Sequence, residues 1–342
     1  MMRLPLFAFH APRTLDEAAR ILHGEGPSAM PLAGGTDLLP NMKRRQQVPR
    51  TLLSLRNIDA LRAMQFSESG ARLGACLTLS DIADDPRFRN GATALLQAAS
   101  LVATPQIRNM ATLGGNLCLD TRCNYYDQSY EWRKAINFCM KKDGVTCWVA
   151  PSSPKCMAVS STDTAPALMA LDARVRLVSN SGEREIPLAD LYNHDGMLYL
   201  RRKPDEILAE ILLDPMHCWR STYWKLRRRG SFDFPVLSVA AAARFAANGI
   251  IEDARIIIGS AASRPLIAGE AARFLTGRSL TAENIGETAA LAARIAKPLD
   301  NTDFDMSWRK KVTTQFVEYA LRELRGDNVT AERGAITRIP SA

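Results

Sequence analysis

Four of the seven cysteines, Cys123, Cys139, Cys147 and Cys156, fall in one short stretch of a 342-residue chain, with 15, 7 and 8 residues between them. The intervals match neither a CxxC zinc knuckle nor the bacterial ferredoxin run. Thiolates are soft ligands suited to zinc or iron-sulfur chemistry, whereas magnesium or calcium would call for oxygen. Spacing alone leaves metal ligation, disulfides and unrelated thiols open. The opening residues lack the charged start and apolar run of a secretion signal, so export is not expected and reduced thiols are the default. Cys118 lies just upstream, and Cys76 and Cys218 read as ordinary isolated cysteines.

Two glycine pairs offer a second chemistry. In LAGGTDLL (32–39) and TLGGN (112–116), backbone N–H groups unshielded by a Cβ could cradle a phosphate, and each pair taken alone also fits a plain turn. Neither is a GxGxxG fingerprint, and no P-loop occurs, so the usual nicotinamide and nucleoside triphosphate loops are excluded as motifs.

The elements that must hold these residues are those of an ordinary globular chain, 46% hydrophobic and 23% charged, with room for two or three domains. No apolar run approaches the roughly 20 residues that cross a bilayer, so no membrane segment is expected. The net charge of +8 is spread over short runs such as Lys43 to Arg45, Arg227 to Arg229 and Arg309 to Lys311. Without interleaved aromatics these read as solvated faces rather than a nucleic-acid surface. Some could still attract an acidic partner or an anionic substrate tail.

Thr14 reads as the N-cap of a helix through Leu22, ended by Gly24 to Pro27, with strands leading into 31–40 and over Thr51 to Ile58. A hairpin turned at Ser69-Gly70, a helix opening at Leu79 and a helix over 92–102 follow. Residues 121–160 are aromatic, basic and non-periodic, and read as an insertion, after which a helix (165–170) and a strand (173–179) resume. A new unit starts near Arg220. Its last helix carries Val312, Phe316, Tyr319 and Ala320 on one inward face, and residues after Arg325 are expected to be a mobile tail.

The order AGGTDL, QIRNMATLGGNL, STDTAPALMALDA resembles the FAD-binding subunits of the molybdenum hydroxylases, over nearly the whole chain. That resemblance implies an α+β chain. It has an FAD-binding domain of the vanillyl-alcohol-oxidase (PCMH) type in two subdomains (1–60 and 61–219), then a C-terminal α/β flavoprotein domain (220–326) and a tail (327–342). The flavin contacts it implies are Pro31, Leu32, Ala33, Gly34, Gly35, Thr36, Asp37 and Leu38, with loop amides on the diphosphate, and Thr112, Gly114, Gly115 and Asn116 as a second wall. Asp163 would accept from FAD hydroxyls, its plain alternative being a helix N-cap. Lys225 would lie near the flavin, its plain alternative being a solvated strand lysine.

Most members of the family lack cysteines between the two motifs. The segment from Gly114 to Ala173 is similar to the β subunits of 4-hydroxybenzoyl-CoA reductases, whose insertion of this size binds one 4Fe-4S cluster through four cysteines. Cys123, Cys139, Cys147 and Cys156 fall at the matching positions, and Cys118 at a non-ligand one. The resemblance implies a cytoplasmic electron-transfer subunit that passes electrons from reduced ferredoxin through the cluster and FAD. They would go on to a 2Fe-2S subunit and a molybdenum-cofactor subunit, in a dimer of heterotrimers, with the catalytic centre in a partner. Within the insertion, Tyr125, Tyr126, Tyr130, Trp132, Phe138 and Trp148 would exclude water. Arg133, Lys134, Lys141, Lys142 and Lys155 would offset cluster charge or steer ferredoxin. The competing readings are a hydroxylase FAD subunit delivering electrons to NAD or quinone, and a non-redox interaction protein stapled by zinc.

Overall fold

A computed structural model describes residues 3–336. The N-terminal unit is a parallel three-stranded sheet in which β1 (Ala8–His10) and β2 (Ala29–Leu32) flank β3 (Thr51–Ser54). The helix Leu15–Glu25 crosses between β1 and β2. Thr14 caps it by accepting from the Glu17 amide, and Gly26 ends it at a φ of 68°. The third strand is shorter than the sequence suggests, because the chain turns away at Leu55, whose amide bonds the Leu32 carbonyl.

The second unit is a five-stranded sheet built from β4 (Met64–Ser67), β5 (Gly70–Gly74), β6 (Arg174–Ser179), β7 (Gly182–Pro187) and β8 (Ile207–Leu213), in the order β4-β5-β8-β6-β7. The β4–β5 hairpin turns beside Gly70, as its sequence indicates. Between β5 and β6 the chain leaves the sheet for about a hundred residues, including the two short helices that carry the second glycine pair and Asp163.

The third unit is an antiparallel sheet of β9 (Trp219–Leu226), β10 (Leu237–Phe245), β11 (Ile251–Gly259) and β12 (Leu266–Ile267). Alternation along its strands divides the core. Tyr223, Ala240 and Ala242 face the second unit, while Trp224, Val239 and Ala241 face the helix Met306–Arg325. The alanine run of β10 lets helices approach both faces closely. On that last helix Val312, Phe316 and Ala320 are buried.

The expected tail is corrected. After Gly326, at a left-handed φ of 104°, the chain folds back into a helix, Thr330–Ile336, with Val329 in the core and Arg333 bonded to Glu323 over the Trp224 ring. Low apolar content hid a segment held by Val329, the partly buried Ile336 and the ion pairs of Arg333 with Glu323 and Glu332 with Arg322; residues 337–342 lie outside the described residues. Among the described residues no helix is long and apolar enough to cross a membrane.

Candidate functional site

The three units enclose a cleft of about 600 Å³, and the structure brings into its wall every flavin-contact residue expected from sequence except Lys225. The first glycine loop follows β2. Gly35 has a φ of 73°, and a Cβ on Gly34 would collide with the backbone carbonyl of Met110, so both positions exclude larger residues. The amides of Gly34, Gly35, Thr36 and Asp37 have no hydrogen-bond partner among the described residues. Four adjacent free donors on a wall without Cβ bulk suit a diphosphate.

The second loop is built differently. The Gly114 amide is spent on the Ala75 carbonyl at 2.8 Å and the Gly115 amide on the Thr112 hydroxyl at 3.1 Å. Gly114 therefore serves close packing on Ala75, and Gly115 leaves room for the Thr112 hydroxyl, rather than either donating outward. The Asn116 side-chain carbonyl accepts from both Thr162 and Thr164, fixing the start of the helix Thr164–Ala170.

Asp163 precedes that helix but does not cap it. Its carboxylate accepts from the Tyr223 hydroxyl at 2.7 Å and from Lys225, whose Nζ lies 3.0 Å away, in a pair at most 2% exposed. Burial pushes the Asp163 carboxyl up, with Lys225 opposing, and burial pulls the Lys225 ammonium down. Lys225 is thus no solvated strand lysine. It lies behind the cleft wall, holding the Asp163 carboxylate that lines it.

The cysteine segment closes on itself at its base, where Arg122 and Val159 exchange backbone hydrogen bonds of 2.8 and 2.7 Å. Its only helix is Tyr130–Ala135. All four cysteines are buried, and Cys123, Cys139 and Cys156 form with Tyr126 and Ala158 a small core of their own. Burial pushes the Cys123 thiol up to about 12, and neighbouring Cys139, Cys156 and Cys147 add to the rise. Burial likewise raises Cys156, to about 11, against the pull of the Ala158 amide and the Lys141 ammonium. Among the described residues no group of three or more His, Cys, Asp or Glu side chains is placed to hold a metal ion.

Two cations of this segment turn inward, where they cannot steer ferredoxin from the surface. Lys141 is 6% exposed and bonds Asp120 at 2.7 Å, the Thr121 hydroxyl at 2.6 Å and the Gly196 carbonyl at 2.7 Å. Arg133 is fully buried, 3.8 Å from Asp143, and its guanidinium donates no hydrogen bond among the described residues. Lys134 and Lys155 are exposed and Lys142 partly so. Of the aromatics only Tyr126 is buried; Tyr130, Trp132 and Trp148 remain exposed.

Sequence reasoning missed the seam joining this segment to the cleft. Arg122 forms an ion pair with Asp37 of the first glycine loop, bonds Asp127 at 3.1 Å and stacks on Phe234 at 4.5 Å. Burial pushes the Asp37 carboxyl up, and Arg122 opposes it. Gln47 and Tyr126 both donate to Asp120. Partners 85 residues apart leave no local signal; only the position of Arg122 beside the first cysteine hints at it. The Arg227 to Arg229 run also divides. Arg227 is buried on the Leu101 carbonyl, while Arg229 lines the cleft and pairs with Asp233.

Residues 5–214 match the family described as FAD binding domain in molybdopterin dehydrogenase, and residues 221–324 match the CO dehydrogenase flavoprotein C-terminal domain. The nicotinate dehydrogenase FAD-subunit of Eubacterium barkeri is 29% identical over 88% of this chain and 88% of its own length. The aldehyde oxidoreductase FAD-binding subunit of Escherichia coli is 32% identical over 76% of this chain and 82% of its own. A chain of the carbon monoxide dehydrogenase of Hydrogenophaga pseudoflava superposes with a TM-score of 0.76 at 25% identity, covering 94% of this chain and 98% of that one. The cleft with its free loop amides, the two family matches and these relatives together place the chain among the FAD-binding subunits of the molybdenum hydroxylases.

Proposed function

We propose that this subunit carries a 4Fe-4S cluster as well as FAD, and serves a molybdenum enzyme that reductively dehydroxylates 4-hydroxybenzoyl-CoA to benzoyl-CoA. What supports the reading is that Cys123, Cys139 and Cys156 share one small buried core, with Cys147 buried as well, in a segment joined by ion pairs to the flavin cleft. A core of three thiols and a few apolar groups is small for some forty residues, and a metal centre would supply further stabilising free energy. The buried Arg133 guanidinium, without a hydrogen-bond partner among the described residues, suits a cage whose bound cluster is anionic.

When bound, flavin exchanges one or two electrons and an iron-sulfur cluster one, so the pair joins a one-electron donor to a longer redox chain. The chain's own residues bind and orient. The amides of Gly34 to Asp37 would receive the FAD diphosphate, Thr112 to Asn116 would form the opposite wall, and Asp163, steadied by Lys225 and Tyr223, would meet FAD hydroxyls. On this reading residues 1–60 and 61–219 are the two FAD-binding subdomains and 220–326 the flavoprotein domain. Reduced ferredoxin is the donor, and separate 2Fe-2S and molybdenum subunits complete a dimer of heterotrimers in the cytoplasm. The test is co-purification with neighbouring subunits and assay of 4-hydroxybenzoyl-CoA dehydroxylation with a reduced low-potential donor. Turnover is expected; its absence in a complex containing active molybdenum would favour instead a hydroxylase subunit delivering electrons to NAD or quinone.

A further inference from the structure

We propose that Lys141 and Asp120 form a fixed dipole between the cysteine cage and the flavin cleft, positive end toward the cage, that sets the one-electron step between the two centres. The inference rests on the reading that the cage holds an iron-sulfur cluster.

Asp120 lines the cleft, whereas Lys141 lies behind it, in the loop between Cys139 and Cys147. The Lys141 Nζ is 2.7 Å from the Asp120 carboxylate, 4.9 Å from the centre of the Tyr126 ring, which shares a buried core with Cys123, Cys139 and Cys156, and 5.3 Å from the ring of the cleft-lining Tyr199. The Tyr126 hydroxyl closes the triangle by donating to Asp120 at 3.1 Å. Side-chain exposures of 6% and 5% remove both charges from solvent screening, so each acts on its neighbours through a medium of low dielectric constant. Hydrogen bonds to Thr121, Gly196 and Gln47 hold the two ends in place.

The exchange concerned moves one electron, given up by the cluster and taken up by the flavin, with no bond made or broken. A nearby cation favours the more negative, reduced form and raises a potential; a nearby anion lowers it. The dipole therefore raises the potential on the cage side and lowers it on the cleft side, holding the electron on the cage. Removing both charges leaves the net charge unchanged and abolishes this bias.

The experiment compares the wild-type holoenzyme with Asp120→Asn/Lys141→Met, following cluster reduction by electron paramagnetic resonance and flavin reduction by absorbance, in redox titrations independent of turnover. The cluster potential should fall and the flavin potential rise, changing the equilibrium constant of the exchange at least tenfold, or about 59 mV. Lys141→Gln, which keeps a donor for Asp120, should lower both potentials, the cluster's more. Potentials that stay put, or move in the same direction in the double variant, overturn the dipole. If the double variant fails to assemble, Lys141→Gln decides: a flavin potential that falls as far as the cluster's, or two potentials that stay put, overturns the dipole. A wild-type protein that holds FAD but no iron overturns instead the reading on which the inference rests.

Discussion

Replacing Lys225 by Met isolates the buried pair behind the cleft. In the wild type the Asp163 carboxylate, 2% exposed, is matched by the Lys225 ammonium and the Tyr223 hydroxyl. The substitution keeps the volume but leaves a buried anion with one neutral donor, and Arg227 is occupied at the Leu101 carbonyl. Breaking a buried pair by removing one partner costs about 3–5 kcal/mol. Urea unfolding followed by circular dichroism should show a loss of that size, and Asp163→Asn/Lys225→Met should regain most of it, since neither charge is then stranded. The pH dependence fixes the cause. Burial already raises the Asp163 carboxyl above its ordinary 3.8, and without its chief opponent it rises further. A carboxyl raised in the folded state contributes stability at low pH that is lost as pH climbs through its folded value. The variant's loss should therefore shrink as pH falls towards 3.8 and be complete at neutrality. A loss below about 1 kcal/mol, or one that does not change with pH, would refute the assignment of Asp163 as a buried anion dependent on Lys225.

Three further outcomes follow from the site. Gly34→Ala should abolish FAD retention, because its Cβ meets the Met110 carbonyl; a variant purified with a full flavin spectrum would contradict the close approach. Cys147→Ser should lose the bound iron while Cys118→Ser retains it, as read by iron analysis of anaerobic protein, and the reverse pattern would misassign the cage. Arg133→Met removes a buried guanidinium without hydrogen bonds, so the apoprotein should unfold at the same or higher urea concentration while cluster occupancy falls; apoprotein destabilised by more than about 2 kcal/mol would show that Arg133 serves the fold alone.

What was legible in the sequence was local. Thr14, the hairpin at Gly70 and the inward face of Val312, Phe316 and Ala320 follow from caps, turn chemistry and helical period, all set within a few residues. The two glycine pairs were legible as loops but not as different devices: the first leaves its amides free, whereas in the second Gly115 is spent on nearby Thr112 and Gly114 on Ala75, which only the folded chain brings near. Long-range charge was least legible. Lys141 and Arg133 look like surface cations in the sequence and are buried in the structure, and Arg122 gave no sign of its pairing with Asp37. Such partners are chosen by burial, which leaves no periodic trace when the segment is irregular. The helix Thr330–Ile336 escaped for a related reason, being held by Arg333 rather than by an apolar stripe.

The central claim is that residues 123–156 enclose an inorganic one-electron centre beside the flavin site. The direct measurement is iron, acid-labile sulfide, zinc and flavin on the full chain purified without oxygen in its complex, with the partners' own contribution subtracted. The account predicts about four iron and four sulfide per FAD, lost together when any one of the four cysteines is replaced. Full flavin with zinc in the cage, or with no metal there, would contradict it.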